Sequence, residues 1–317
     1  TSALGDIVHA LAVLSVIKGA YPEAEIDWVV EKGGAALVQT QPLVDRVLVI
    51  DSKDWRRHPF ASFSAMREFA YTLRSARYDV VIDLQGNCKS GLITLLARSG
   101  EKVGYGRQSV PEWPNLLATR YRYDPPAGKN IRADYLYLIE EHFGIDVPPH
   151  RPQGKRGPRK KVMVCPGSQW ANKELPVDTL LAFLNTLQGA TFIITWGSPR
   201  ERLRAEEIHS HFPKTSQILA KVPLPQLQQL MKRMDLVVSM DSLPLHLAGA
   251  ADVPTFSFFG PSSADKYRPL GEQHQSFQGT CPYGTTFDKR CPKLRTCPTG
   301  ACLSEATLEN ITQSSLM

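Results

Sequence analysis

Short apolar segments alternate with segments of helical period along nearly the whole chain, in two successive series. In the first series, Glu25 to Val30, Val44 to Ile50 and Tyr78 to Leu84 read as buried strands, and Ala65 to Ser75 has helical apolar spacing. In the second, strands are predicted at Lys161 to Cys165, Thr191 to Trp196, Leu236 to Met240 and Thr255 to Phe259. Helical patterns lie between and after them at Val177 to Leu187, Arg200 to Phe212, Leu224 to Met234 and Pro244 to Ala251. Strands separated by helices cannot pair as hairpins, so they pair in parallel, with the helices covering the sheet faces. The series break once, at the run Pro148 to Pro158, which is rich in proline, glycine and charge and has no periodicity. Such a run reads as a linker. The expected architecture is therefore α/β, with two doubly wound parallel-sheet domains at 1–150 and 151–317 facing each other across a cleft. Ligands of such domains bind at the carboxyl ends of the strands.

Composition narrows the class. With 317 residues, 42% of them apolar, the chain can build real cores, so disorder is not the default reading. No apolar run approaches the roughly 20 residues of a membrane span. The stretch Ile7 to Ile17 contains His9 and reads as one amphipathic helix. A net charge of +6 suits an anionic partner, whether nucleotide, phosphorylated lipid, membrane surface or nucleic acid, and selects none of them. No basic stripes interleave with aromatics, which ranks nucleic acid last. The chain opens at Thr1 without a signal peptide pattern, and its first residues read as the end of a strand-loop motif. A strand ahead of Thr1 is expected.

Five turns could carry chemistry. In Leu4-Gly5-Asp6-Ile7-Val8-His9, Gly5 permits a tight turn, and Asp6 is either a helix cap or a carboxylate poised as general base. His9 reads as a packed residue. Asp241-Ser242-Leu243-Pro244-Leu245-His246 follows an apolar strand, and Pro244 suits a first helical turn. Free amides and the dipole at such a helix start form a diphosphate site, unless this is a plain capped turn. Pro166-Gly167-Ser168-Gln169-Trp170-Ala171-Asn172-Lys173 offers a hydroxyl and an ammonium for a phosphate; the alternative is an exposed loop lysine. In Trp196-Gly197-Ser198-Pro199-Arg200-Glu201, Glu201 is either a ribose-binding acid or a helix-start glutamate. The fifth turn, Asp83 to Ser90, joins Lys53, Arg56 and Arg57 in placing cations on the first domain, as an acceptor site or as a solvated cluster.

Near the C-terminus lie Cys281, Cys291, Cys297 and Cys302, with nine, five and four residues between them. A structural zinc or iron site, free thiols and two disulfides all remain open for them. A metal there is predicted to sit away from the chemistry. Cys88 and Cys165 read as packing residues.

The ordered motifs Ser-x-Leu-Gly-Asp-x-Val-His, Asp-x-Gln-Gly-x-x-Lys-Ser, Gly-Ser-x-Trp-x-x-Lys-x-x-Pro, Trp-Gly-x-Pro-x-Glu and Val-Ser-x-Asp-Ser-x-x-x-His resemble glycosyltransferase family 9, the lipopolysaccharide heptosyltransferases. The opening through Trp28-Val29-Val30-Glu31 and the Trp55-Arg56-Arg57 region are most similar to its heptosyltransferase I branch. The resemblance spans essentially the whole chain. It implies a GT-B fold of two Rossmann-like domains and inverting, metal-independent transfer from ADP-L-glycero-D-manno-heptose to a Kdo-lipid A acceptor. It further implies a cytoplasmic enzyme, peripheral at the inner membrane of a Gram-negative bacterium. By the same resemblance Asp6 is the general base, and Ser168 and Lys173 face the diphosphate. Glu201 binds ribose, and Asp241, Ser242 and His246 form the donor turn. Lys53, Arg56, Arg57 and Arg107 hold the anionic acceptor. No cofactor is implied for catalysis, and no Asp-x-Asp metal motif occurs. Two departures bear on the sugars. Leu243 stands where the family has glycine, and Lys173-Glu174-Leu175-Pro176 replaces Lys-x-Trp-Pro. Another sugar, a protein acceptor, or a nucleotide-sugar epimerase of the same architecture are the alternative readings.

Overall fold

The computed structural model describes residues 4–147 and 160–314. The run Pro148 to Pro158 lies outside them. The chain divides into two compact units, Thr1–Pro148 and Pro149–Met317.

The first unit runs α1 (Leu4–Ala10), α2 (Ala12–Ala20), β1 (Asp27–Glu31), α3 (Ala35–Gln39), β2 (Arg46–Ile50), α4 (Ser52–Arg57), α5 (Phe63–Ser75), β3 (Arg77–Ile82), α6 (Cys88–Leu96), β4 (Arg98–Tyr105), β5 (Tyr121–Tyr123) and α7 (Ile131–Phe143). All its strand pairs are parallel. They form a two-stranded sheet, β1-β2, and a three-stranded one, β3-β4-β5. A cavity of about 1430 Å³, lined by residues of β1, β3, α1 and α2, lies between the two sheets. The single amphipathic helix expected over Ile7 to Ile17 is two helices. Leu11 keeps helical dihedrals, but the Leu14 amide bonds to the Leu11 carbonyl at 3.2 Å, a tightening of one turn that separates α1 from α2. At the far end of the unit, Gly144 ends α7 in the left-handed conformation (φ 62°) that glycine adopts without a Cβ clash.

The second unit runs β6 (Lys161–Cys165), α8 (Val177–Asn185), β7 (Thr191–Ile194), α9 (Pro199–His211), β8 (Ser216–Ile218), α10 (Leu224–Met231), β9 (Leu236–Met240), α11 (Leu243–Ala250), β10 (Thr255–Phe259), α12 (Ala264–Tyr267), β11 (His274–Gln278), α13 (Ala301–Ser304) and α14 (Leu308–Ser314). Its parallel sheet has the order β11-β10-β9-β6-β7-β8. The chain builds outward from β6 through β7 to β8, then returns to the other side of β6 for β9, β10 and β11. The order therefore reverses between β6 and β9. In open sheets of this kind, ligands bind at the carboxyl ends of the strands that flank such a reversal.

Every residue of β9 and β10 is buried, as expected for parallel strands covered on both faces. Val164, Ile194, Val238 and Phe258 pack with Leu180, Leu184 and Ile208 from the flanking helices. Phe183 of α8 meets Phe256 with ring centroids 4.6 Å apart and Phe258 edge-on at 5.4 Å. Truncating a fully buried leucine here, such as Leu180, costs about 2–5 kcal/mol. This core holds the ends of β6 and β9 rigidly in place. Among the described residues no helix is long and apolar enough to cross a membrane.

Candidate functional site

The two loops at the reversal point bring Lys173 and Asp241 together, 68 residues apart in the chain. Lys173 closes a 3₁₀ turn (Ala171–Lys173) after β6, and Asp241 directly follows β9. The lysine ammonium donates to Asp241 Oδ2 at 2.6 Å, and both residues are buried, at 9% and 5% exposure. The exposed-loop reading of Lys173 is thereby excluded. Ser262, after β10, donates its hydroxyl to the same carboxylate oxygen, and His246 Nε2 lies 3.8 Å from the other. Burial alone would raise the Asp241 carboxyl. The charges of Lys173 and His246 and the hydrogen bonds from Lys173 and Ser262 outweigh it and hold the group below its ordinary value. Burial pushes the His246 imidazole down to about 4; Asp241 opposes the fall, and Lys173 and Arg290 add to it. His246 is therefore neutral at pH 7, so the charge of the cluster is that of one lysine and one aspartate.

Asp241 precedes α11, whose N-cap is Ser242 and whose first turn carries Pro244. The Ser242 side chain makes no capping bond. Its hydroxyl instead points back to the Met240 carbonyl at 3.4 Å, so the amides at the head of α11 are not capped by it.

Ser168, only 4% exposed, sits in a braced loop. Its amide donates to Glu174 Oε1 at 2.8 Å, and its carbonyl accepts from Arg200 Nη2 at 2.6 Å. Arg200 also forms a two-pronged pair with Glu174, at 2.6 and 2.9 Å. Glu174 and Arg200 thus fix the loop that carries Ser168 and Lys173, a role the sequence motifs did not single out. Glu201 is the third helical residue of a capping box with Ser198. Its Oε2 accepts from the Gly197 and Ser198 amides at 2.6 and 3.2 Å, while the Ser198 hydroxyl accepts from the Glu201 amide. The same side chain lies against Gly167, where any Cβ would overlap it. Glu201 therefore caps α9 and ties the Ser168 loop to it.

In the first unit Asp6 occupies the first turn of α1 and lines the 1430 Å³ cavity together with Asp83. Burial, followed by the negative charges of Asp134, Asp83 and Asp6, pushes the Tyr105 hydroxyl well above its ordinary value, so Asp6 belongs to an acidic group around that ring. His9 is buried in α1. Asp83 organises the turn after β3. It accepts from the Gln85 and Gly86 amides at 2.9 Å each and from the Asn115 side chain at 2.6 Å. Gly86 has φ 68°, and a Cβ there would strike Pro111, so only glycine fits this turn. Lys89 is not a free surface cation, for its ammonium pairs with Glu31 at 2.6 Å. Burial would raise Glu31, but Lys89 and Ser52 overcome that and lower it. Lys53, Arg56 and Arg57 are exposed on α4, and Arg107 is exposed in the turn after β4. Two separate elements carry these four cations.

All six cysteines are free. Among the described residues no group of three or more histidine, cysteine or acidic side chains is arranged to hold a metal ion. The zinc or iron expected at Cys281, Cys291, Cys297 and Cys302 is thus unsupported, and no step is assigned to it. Cys165 is buried, its thiol raised to about 12 by burial, as suits a packing residue. Cys88, by contrast, is exposed at the start of α6. The cysteine segment does not lie apart from the reversal-point cluster. Asn172 donates to the Leu294 carbonyl at 2.6 Å, the Cys291 amide to the Pro261 carbonyl at 2.8 Å, and the Ser263 amide to the Lys289 carbonyl at 3.0 Å. The segment therefore packs beside both Lys173 and Ser262.

Comparison with known proteins gives concordant matches. The family model described as "Glycosyltransferase family 9 (heptosyltransferase)" matches residues 66–296. Lipopolysaccharide heptosyltransferase 1 of Pseudomonas aeruginosa is 26% identical over 309 residues, covering 92% of this chain and 85% of that one. The protein of the same name from Escherichia coli K12 is 27% identical over 288 residues, covering 83% and 86%. Among solved structures, E. coli heptosyltransferase WaaC with ADP-2-deoxy-2-fluoro heptose superposes with a TM-score of 0.80 at 23% identity, over 99% of this chain and 96% of that one. E. coli heptosyltransferase II superposes at 0.69 with 20% identity. These likenesses identify the fold as GT-B, with two doubly wound domains.

Proposed function

The chain belongs to glycosyltransferase family 9, and from that premise we propose that it moves a heptose from an ADP-activated donor to an anionic, lipid-linked sugar of the Kdo-lipid A type, inverting the anomeric centre. The relatives named above as lipopolysaccharide heptosyltransferases and the structure solved with an ADP-heptose analogue support the donor and the class of acceptor. The observation that carries the reading is the buried Lys173–Asp241 pair at the strand-order reversal, beside the uncapped head of α11.

In this reaction the acceptor hydroxyl oxygen bonds to the anomeric carbon as the carbon–oxygen bond to the β-phosphate breaks. The electron pair leaves with ADP, and the acceptor proton passes to a carboxylate. Asp6 is the proposed base, acting from the first turn of α1. Lys173, the Ser168 hydroxyl and the helix head meet the charge that grows on the departing phosphate. Asp241 orients Lys173 and is placed to accept from a sugar hydroxyl. Glu201, with one carboxylate oxygen engaged in the capping box, has the other for a ribose hydroxyl. Lys53, Arg56, Arg57 and Arg107 hold the acidic acceptor, and an anionic inner-membrane surface would favour the same exposed cations. Lysine and helix-dipole charge serve here in place of a divalent ion.

Mass spectrometry of protein incubated with ADP-heptose and Kdo-lipid A, with UDP- and GDP-sugars in parallel and EDTA throughout, tests the reading. Heptosylated lipid is the expected product. Conversion of a nucleotide sugar without acceptor would replace the reading with an epimerase. Asp6→Ala should lower turnover by about 100-fold or more. Near-normal turnover at saturating substrates would remove Asp6 from its role.

A further inference from the structure

Arg290 is exposed in the cysteine segment, between Lys289 and Cys291. Its backbone forms an antiparallel bridge with Ser262, the residue whose hydroxyl bonds Asp241. The flanking hydrogen bonds, Ser263 amide to Lys289 carbonyl and Cys291 amide to Pro261 carbonyl, lock that register. The Arg290 guanidinium carbon stands 4.9 Å from the centre of the Tyr267 ring, over its face, a cation–π contact. Among the described residues it has no carboxylate partner. It is near enough to His246 for its charge to disfavour the imidazolium.

The charge balance at the reversal point makes this position informative. Lys173 is neutralised by Asp241, and His246 is uncharged at pH 7. The cluster is therefore nearly neutral without Arg290, although a diphosphate brings two or more negative charges. A guanidinium suits such a group better than an ammonium, because its fork of donors matches two phosphate oxygens at once.

We propose that Arg290 is a donor-binding residue that grips the diphosphate of the nucleotide sugar, and that the cysteine segment serves as the frame presenting it beside Asp241. The proposal rests on the nucleotide-sugar transferase reading above and extends its donor site to a residue outside the motifs. The frame has two anchors, the Ser262 bridge on one side and the Asn172–Leu294 bond next to Lys173 on the other. One rigid loop thereby sets the spacing between the lysine and the arginine.

Isothermal titration of ADP, and in parallel of inorganic pyrophosphate, into wild type, Arg290→Ala, Arg290→Lys and Arg295→Ala tests this. Arg295 is an exposed cation of the same segment and serves as the charge control. Arg290→Ala should weaken both ligands by roughly 10- to 100-fold, the loss expected for a charge-assisted contact. Arg290→Lys should recover part of it, and Arg295→Ala should stay within about twofold. If the alanine variant unfolds, Arg290→Gln keeps part of the aliphatic stem and a polar, uncharged end and carries the comparison. Affinities of the Arg290 variants within about threefold of wild type would overturn the proposal. Wild type that binds pyrophosphate but not ADP, with Arg290→Ala still losing pyrophosphate, would uphold Arg290 and sink the nucleotide reading. Wild type that binds neither would overturn both.

Discussion

Replacing Lys173 with methionine removes one charge from the reversal point and leaves Asp241 buried against Ser262 and His246. The two side chains retain only 11% and 6% exposure, so water cannot readily take the place of the ammonium. Breaking one side of a buried pair in this way costs about 3–5 kcal/mol. For a unit of this size the loss lowers the melting temperature by roughly 6–20 °C. The pH dependence gives a sharper check than the magnitude. In the wild type the Asp241 carboxyl lies below its ordinary value of 3.8, so the stability it contributes is complete above that value and is lost as pH falls through the lower folded-state pKa. Without Lys173, burial faces only His246 and Ser262, and the carboxyl rises. The variant's folded state then takes up a proton before its unfolded chain does, so its deficit should be largest at about pH 7.5 and shrink toward pH 4.5. Urea titrations followed by tryptophan fluorescence at both pH values measure the deficit. The double variant K173M/D241L, which removes both charges, should recover at least half of it. A loss below about 1 kcal/mol, or one that is equal at the two pH values, would mean that the pair is solvated and that the electrostatic account of the site is wrong.

Ser198→Ala removes one arm of the capping box that begins α9 and should cost about 1 kcal/mol, read as a melting-temperature drop of about 2–4 °C. Histidine resonances followed by NMR should show His246 neutral down to about pH 4, so any activity change between pH 5 and 8 belongs to another group. Because unfolded histidine protonates near 6.5, this depressed value also makes the fold less stable as pH falls from there toward 4. The triple variant Lys53→Ala/Arg56→Ala/Arg57→Ala removes only exposed charge, so stability should stay within about 0.5 kcal/mol per site. The KM for an anionic acceptor should rise about tenfold or more at low salt, with ADP affinity unchanged; a change confined to ADP affinity would reassign α4 to the donor.

The second unit was the more legible part of the sequence. Residues 161–165, 236–240 and 255–259 were readable as strands to their end residues, because a parallel strand buried on both faces is a continuous apolar run. In the first unit, Arg98–Tyr105 reads Arg-Ser-Gly-Glu-Lys-Val-Gly-Tyr, and four of its eight residues are polar or charged outside the buried end, so no apolar pattern marks it as a strand. Ser216–Ile218 and His274–Gln278 were hidden for the same reason, since edge strands carry polar side chains and gain their strand character from one neighbour.

Local chemistry also marked the turns that carry the candidate site residues. Asp6, Ser168, Lys173, Glu201, Asp241 and His246 stand at strand ends or helix starts, where backbone groups are unpaired whatever the rest of the fold does. Sequence alone could not say which of them meet. Lys173 joins Asp241 because strand order reverses between β6 and β9, a property of the whole sheet. Ser262 and Arg290 carry no motif and reach the same place through one backbone bridge. Whether a lysine is free or paired, and whether a histidine is charged, depends on burial and on neighbours distant in sequence. Side-chain identity determined what each group could do, and packing alone decided its partner and its charge.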